Sequence, residues 1–131
     1  MRKLALSLSI ITLAAGGYAY AGRSMSAPQV RETGKPVSCI SLSQIRESRV
    51  RSDTVIDFRT SGSKWYRNTL PHSCPSLGFE ERFSYATSMN QLCSTDIIHV
   101  LQSYGSGLQK GAGCGLGKFQ PVEIIKPAKA Q

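Results

Sequence analysis

The stretch VIDFRT-SGS-KWYRNT, Val55 to Thr69, is where the chain declares its fold class. Ile56 and Phe58 fall on one face and Asp57 and Arg59 on the other, the period of two that marks a half-buried strand. Ser61 to Ser63 is turn-prone, and KWYRNT offers a second alternating run, so the whole reads as a β-hairpin. Working outward, RFSYAT sets Phe83, Tyr85 and Thr87 against Arg82, Ser84 and Ala86, another strand pattern. KFQPVEII, Lys118 to Ile125, is short and rich in β-branched and aromatic residues, and its Pro121 predicts a strand at a sheet edge.

Two segments are open to either helix or strand. ISLSQIRESRV, Ile40 to Val50, spaces Ile40, Ile45 and Val50 in a way that suits a helix or a strand entering a basic turn. MNQLCSTDIIHVLQSY, Met89 to Tyr104, carries a helical stripe, yet IIHVL is β-branched and adjoins a turn-prone STD. A strand over Asp96 to Gln102 is the favoured reading, with a short helix as the alternative. The glycine-rich Gly105 to Gly117 is expected to be a loop leading into the last strand. Short strands joined by Gly, Ser and Pro turns predict a mainly β fold. The size suits a small antiparallel β-barrel or sandwich of the OB or SH3-like kind.

The first residues, MRKLALSLSIITLAAGGYAYAG, combine Arg2 and Lys3, an apolar run and the A-x-A signal Ala19 to Ala21. This pattern predicts a cleaved signal peptide over 1–21 and a periplasmic or secreted protein. The apolar run is too short to span a bilayer, so no stable membrane span is expected after cleavage. A polar, aperiodic flexible leader should follow over 22–36, then one domain over 37–125 and a basic tail over 126–131. Of the 131 residues, 16 are Lys or Arg and 8 are Asp or Glu, a formal net charge of +8. A domain this small has a thin core, and covalent staples would help it.

Cys39, Cys74, Cys93 and Cys114 supply them: an even count in a small exported chain reads as two disulfides. No C-x-x-C pair supports a thiolate metal site. Cys74 and Cys93 flank the excursion holding Phe79, Phe83 and Tyr85, while Cys39 and Cys114 lie near the ends of the domain. The favoured pairing is therefore Cys74–Cys93 nested inside Cys39–Cys114, with loops worth about 3 and about 4.5 kcal/mol in the chain-entropy model. Pro71 and Pro75 in LPHSCPSLGF, Leu70 to Phe79, then read as restraints on a stapled turn.

No constellation points to catalysis. His72 falls in that turn and His99 among apolar residues, and no spacing gives either the partners that acid–base work requires. The chain has no G-x-S-x-G, and oxidised cysteines are not nucleophiles. Glu47, Asp53, Asp57, Glu80, Glu81 and Asp96 form no recognisable carboxylate pair, and GAGCGLG lacks the features of a phosphate loop. No catalytic residue, cofactor or metal is assigned. The one diffuse signal is a run of basic residues with aromatics between them. Arg49, Arg51, Arg59, Trp65, Tyr66, Arg67 and His72 make a candidate binding surface, with Arg46 and Lys64 nearby. Such a mixture can hold single-stranded nucleic acid, but an exported protein rarely meets it. Anionic envelope components or another exported protein are the expected partners.

Several phrases in order carry a resemblance: CISLSQIR, TVIDF, WYRNTLPHSCPSLGF, FSYATS, QLCSTDII and GCGLGKFQPV. Together they resemble a family of small exported proteins of Gram-negative bacteria, catalogued as domain of unknown function 6491, over Val37 to Ile124. The resemblance implies an exported single domain with its cysteines at positions 39, 74, 93 and 114, and it carries over nothing about activity, cofactor or catalytic residues. The expected role is a non-catalytic binding or structural module of the cell envelope. The alternatives are a small secreted hydrolase using a histidine and a carboxylate, or an inhibitor of an exported enzyme that presents the Leu70–Phe79 loop.

Overall fold

The computed structural model describes residues 27–87 and 89–126. The expected signal peptide, 1–21, lies outside the described residues, as does most of the expected tail. The fold is mainly β and antiparallel throughout. The expected hairpin forms as β4 (Val55–Thr60) and β5 (Lys64–Thr69), with Phe58 opposite Tyr66 and Asp57 opposite Arg67. A 3-10 turn over Ser61–Ser63 joins them, with Gly62 at φ 78°, a conformation glycine adopts at no steric cost.

Around this hairpin a five-stranded sheet assembles in the order β1 (Val30–Glu32), β10 (Phe119–Ile124), β5, β4, β3 (Ile45–Val50). A three-stranded sheet runs β6 (Phe83–Tyr85), β8 (Ile97–Tyr104), β9 (Gly107–Gly115), and β2 (Cys39–Ser41) pairs with β7 (Gln91–Cys93). One short helix, α1 (Leu77–Glu80), precedes β6. Among the described residues no ladder closes on itself: β1 and β3 end the large sheet without pairing to each other, so the barrel form of the expectation is not adopted.

The three sheets share one core. Ile56 and Phe58 of β4, Phe119 of β10, Ile98 and Val100 of β8, Leu92 of β7, Ile40 of β2 and Leu77 of α1 are all buried in it. Phe58 meets Phe119 edge-on at 5.6 Å and Phe83 at 6.2 Å, which ties the large sheet to the small one. Each such fully buried side chain contributes about 1.5–3 kcal/mol.

Several expectations are settled or corrected. Ile40 to Val50 is two strands joined by a 3-10 turn, and Met89 to Tyr104 holds β7, a turn and β8, so strand wins over helix in both. The glycine-rich segment is not a loop: Gly107–Gly115 is strand β9. Its ladder to β8 overrides poor strand propensity, and its glycines are used for space. A Cβ on Gly111 would sit 2.9 Å from Gln102 Cδ, and one on Gly113 3.1 Å from His99 Nε2. Val30–Glu32, placed in the expected leader, is instead β1, because its backbone completes the outer side of β10.

That pairing also corrects the edge reading of Pro121. β10 lies inside the sheet, yet the Pro121 carbonyl accepts the Thr33 N–H at 3.0 Å, so its nitrogen faces the same side, past the end of β1. The ladder to β5 loses no donor.

The disulfides are Cys39–Cys93 and Cys74–Cys114, crossed rather than nested. Strand pairing decides this. Cys39 lies directly opposite Cys93 in the β2–β7 ladder, with Cα atoms 4.0 Å apart. Cys114 on β9 then faces Cys74 at 5.8 Å. Their sequence separations of 54 and 40 correspond to about 4 kcal/mol each in the chain-entropy model, though not additively.

Candidate functional site

The face of the five-stranded sheet that turns away from the core carries two rows of side chains. One crosses the strands as Arg49, Asp57, Arg67 and Gln120, and the other as Glu47, Arg59, Trp65, Val122 and Glu32. The alternation that sends Ile56 and Phe58 inward sends these residues outward.

Asp57 has no exposed surface even though it lies on the outer face. Arginines cover it: Arg67 donates Nε and Nη2 at 2.8 and 3.0 Å, and Arg51, from the turn after β3, donates Nε at 2.9 Å. The side chains of Arg51 and Arg67 are only 19% and 14% exposed. Next to them Glu47 takes Arg49 within its own strand and Arg59 across the ladder, the latter at 3.0 Å. Those two arginines, Arg49 first, hold the Glu47 carboxyl below the usual carboxylate range. The Arg49 guanidinium lies 5.6 Å from the centre of the Trp65 ring, within cation–π range.

Four guanidinium groups thus share two carboxylates, and the face keeps a positive surplus. Arg49, Arg51 and Arg59 engage their carboxylates through Nε, so the Nη groups of each make no hydrogen bond to a carboxylate among the described residues. A cleft of about 670 Å³ opens beside them, lined by Arg49, Arg51, Trp65, Ile124 and Lys126, together with Glu123, whose charge is met by Arg31. A second, of about 320 Å³, lies across Val122 and is lined by Arg67, Lys118, Gln120 and Glu32. Ordered guanidiniums with free donors beside an apolar wall form a receptor for an anionic group.

The structure therefore brings Arg49, Arg51, Arg59, Trp65 and Arg67 together. Tyr66 points to the core side, with Lys64 Nζ 5.1 Å from its ring centre, and His72 lies exposed on the turn after β5. Sequence reasoning assigned no binding role to Asp57, which orders the site, nor to Lys118 and Lys126. The signal for Asp57 was present, since the hairpin register that buries Phe58 puts Arg67 opposite Asp57.

His99 is half-buried on β8, opposite Ser84 on β6 and Gly113 on β9. It shares a cleft of about 340 Å³ with Asp96, Tyr85 and Lys110. Asp96 accepts the Cys93 N–H at 2.7 Å, and Ser84 Oγ is buried with no hydrogen-bond partner among the described residues. Asp53 likewise has a structural partner, the Gly78 N–H at 2.7 Å, which helps hold the Leu70–Phe79 turn. Among the described residues no group of three or more His, Cys, Asp or Glu side chains could hold a metal ion, and no helix is long and apolar enough to cross a membrane.

No family model, no curated protein and no solved structure matches the chain.

Proposed function

We propose that the protein is an exported binding module of the cell envelope whose outer sheet face holds an anionic group of an envelope component. The observation that carries this reading is the buried Asp57, which fixes Arg51 and Arg67 while the Nη groups of Arg51 stay uncommitted to a carboxylate. A merely solvated basic surface does not require a carboxylate with no exposure beneath it. Export to the periplasm through a cleaved signal peptide belongs to the same proposal. Two disulfides suit an oxidising compartment. The kinship with domain of unknown function 6491 is part of the proposal too, and rests on the phrases quoted for it.

The test is titration with inorganic phosphate, an acidic polysaccharide and vesicles containing phosphatidylglycerol, followed by amide chemical shifts. Shifts centred on Arg49, Arg51 and Trp65 that fade with added salt are expected. Binding left unchanged in Arg49→Ala and Arg51→Ala would overturn the reading.

One observation favours a second reading, a small hydrolase: His99 and Asp96 line the same cleft. It requires hydrolysis of an ester or glycoside by the purified protein, abolished in His99→Ala. The inhibitor reading requires a stoichiometric exported enzyme in pull-downs, lost when the exposed Pro71, His72 and Ser73 are replaced.

A further inference from the structure

Sheet edges expose unpaired backbone groups, and proteins blunt them with short strands, charges or bulges. In this fold β1, β2, β6 and β7 are three residues long, and β3 is interrupted by a bulge between Ile45 and Glu47 and carries Arg46, Glu47 and Arg49. β9 is bulged as well, at Gly111 and Ala112 opposite Val100, but it is nine residues long, pairs only with β8 among the described residues, and holds a single charged residue, Lys110.

The outer face beside this edge is open at Gly115, opposite Ile97, whereas the His99 ring fills the space over Gly113. A Cβ on Gly115 would meet nothing within 4 Å. Ile97 is exposed and His99 half-buried along one wall, and Lys110 lines the same cleft as His99. Glycines within a strand mark a bulge or a close approach by a second group: Gly111 lies in the bulge, Gly113 makes room for His99, and Gly115 is left open.

We propose that β9 is a docking edge for an extended acidic peptide segment of a partner protein, which adds to the small sheet as a fourth strand. Its backbone bonds to the free side of β9, and one of its side chains, a glutamate or aspartate, lies beside Lys110. Charge complementarity selects this occupant. The chain carries a net charge of +8, which repels a second copy and attracts an acidic strand. Asp96, at the far end of the cleft, already accepts the Cys93 N–H. This edge lies on the small sheet, away from the arginine rows, so the inference stands apart from the anion-binding proposal.

The probes are two capped hexapeptides of alternating valine and threonine, one with a central glutamate and the other with lysine, added to the full chain. Binding is followed by fluorescence anisotropy and amide hydrogen exchange. The glutamate peptide is expected to bind about fivefold more tightly than the lysine peptide, and Lys110→Glu to reverse that order. Bound peptide should protect amides of Gly107–Gly115. Gly115→Leu, at a position open to a side chain, should keep the fold and lose the binding. Absence of binding by either peptide at millimolar concentration, or protection confined to the arginine face, would overturn the proposal. Self-association that protects β9 without peptide would overturn it as well, by assigning the edge to a second copy.

Discussion

The fully buried Asn68 clamps the backbone of Gly117 from both sides. Its Nδ2 donates to the Gly117 carbonyl at 2.7 Å, and its Oδ1 accepts the Gly117 N–H at 2.8 Å. The amide stands in for a strand partner where the chain turns from β9 into β10. A Cβ on Gly117 would lie 2.2 Å from the Thr69 carbonyl oxygen. Asn68→Ala should cost about 2–4 kcal/mol, from two unmet backbone groups and a cavity, read by urea unfolding. Gly117→Ala should be at least as damaging, and wild-type stability in either variant would refute the clamp.

Asp57→Asn leaves Arg51 and Arg67 without the charge that they enclose. Breaking such a buried pair costs about 3–5 kcal/mol, so the variant should unfold at clearly lower denaturant. Glu47→Gln, at the more exposed pair, should shift the midpoint far less. Equal effects would show that the two carboxylates do not differ as their burial indicates.

Glu47 also makes stability depend on pH, with a definite sign. Its folded-state pKa is lowered by Arg49 first and then Arg59, so its ion pairs add stability that is complete above the unfolded value. That stability is lost as pH falls through the lowered folded value. The gap in melting temperature between wild type and Glu47→Gln should be steady at neutral pH and close below about pH 4. A gap that widens in acid would contradict the assignment.

Digestion without reductant should release linked peptides joining Cys39 to Cys93 and Cys74 to Cys114, and intact mass should fall about 4 Da below the all-thiol value. Cys74 is fully buried, whereas Cys114, Cys39 and Cys93 are half-buried, so mild reductant should open Cys39–Cys93, neither cysteine of which is fully buried, first. Peptides joining Cys74 to Cys93 would contradict the fold itself.

Local alternation made much of the architecture legible. VIDFRT and KWYRNT told their own faces, and RFSYAT and IIHVL behaved as strands, because a period of two is written residue by residue. The arginine face was half legible for the same reason: Arg49, Arg51, Arg59, Trp65 and Arg67 could be gathered, but Tyr66, next to two of them, points to the other side. His72 was grouped by nearness in sequence alone. The glycine-rich segment misled because propensity describes an isolated strand, whereas β9 is held by β8 and uses its glycines to make room for His99 and Gln102.

By itself, then, the sequence determined the β class, the hairpin, the inward and outward faces and the presence of four cysteines. Those follow from short-range stereochemistry and composition. Which cysteines join, that Val30–Glu32 completes a sheet, and that Asp57 disappears beneath Arg51 and Arg67 were decided only in three dimensions. Each depends on strands distant in sequence meeting in one register, and register is set by burying the shared core around Phe58, Phe119 and Ile98.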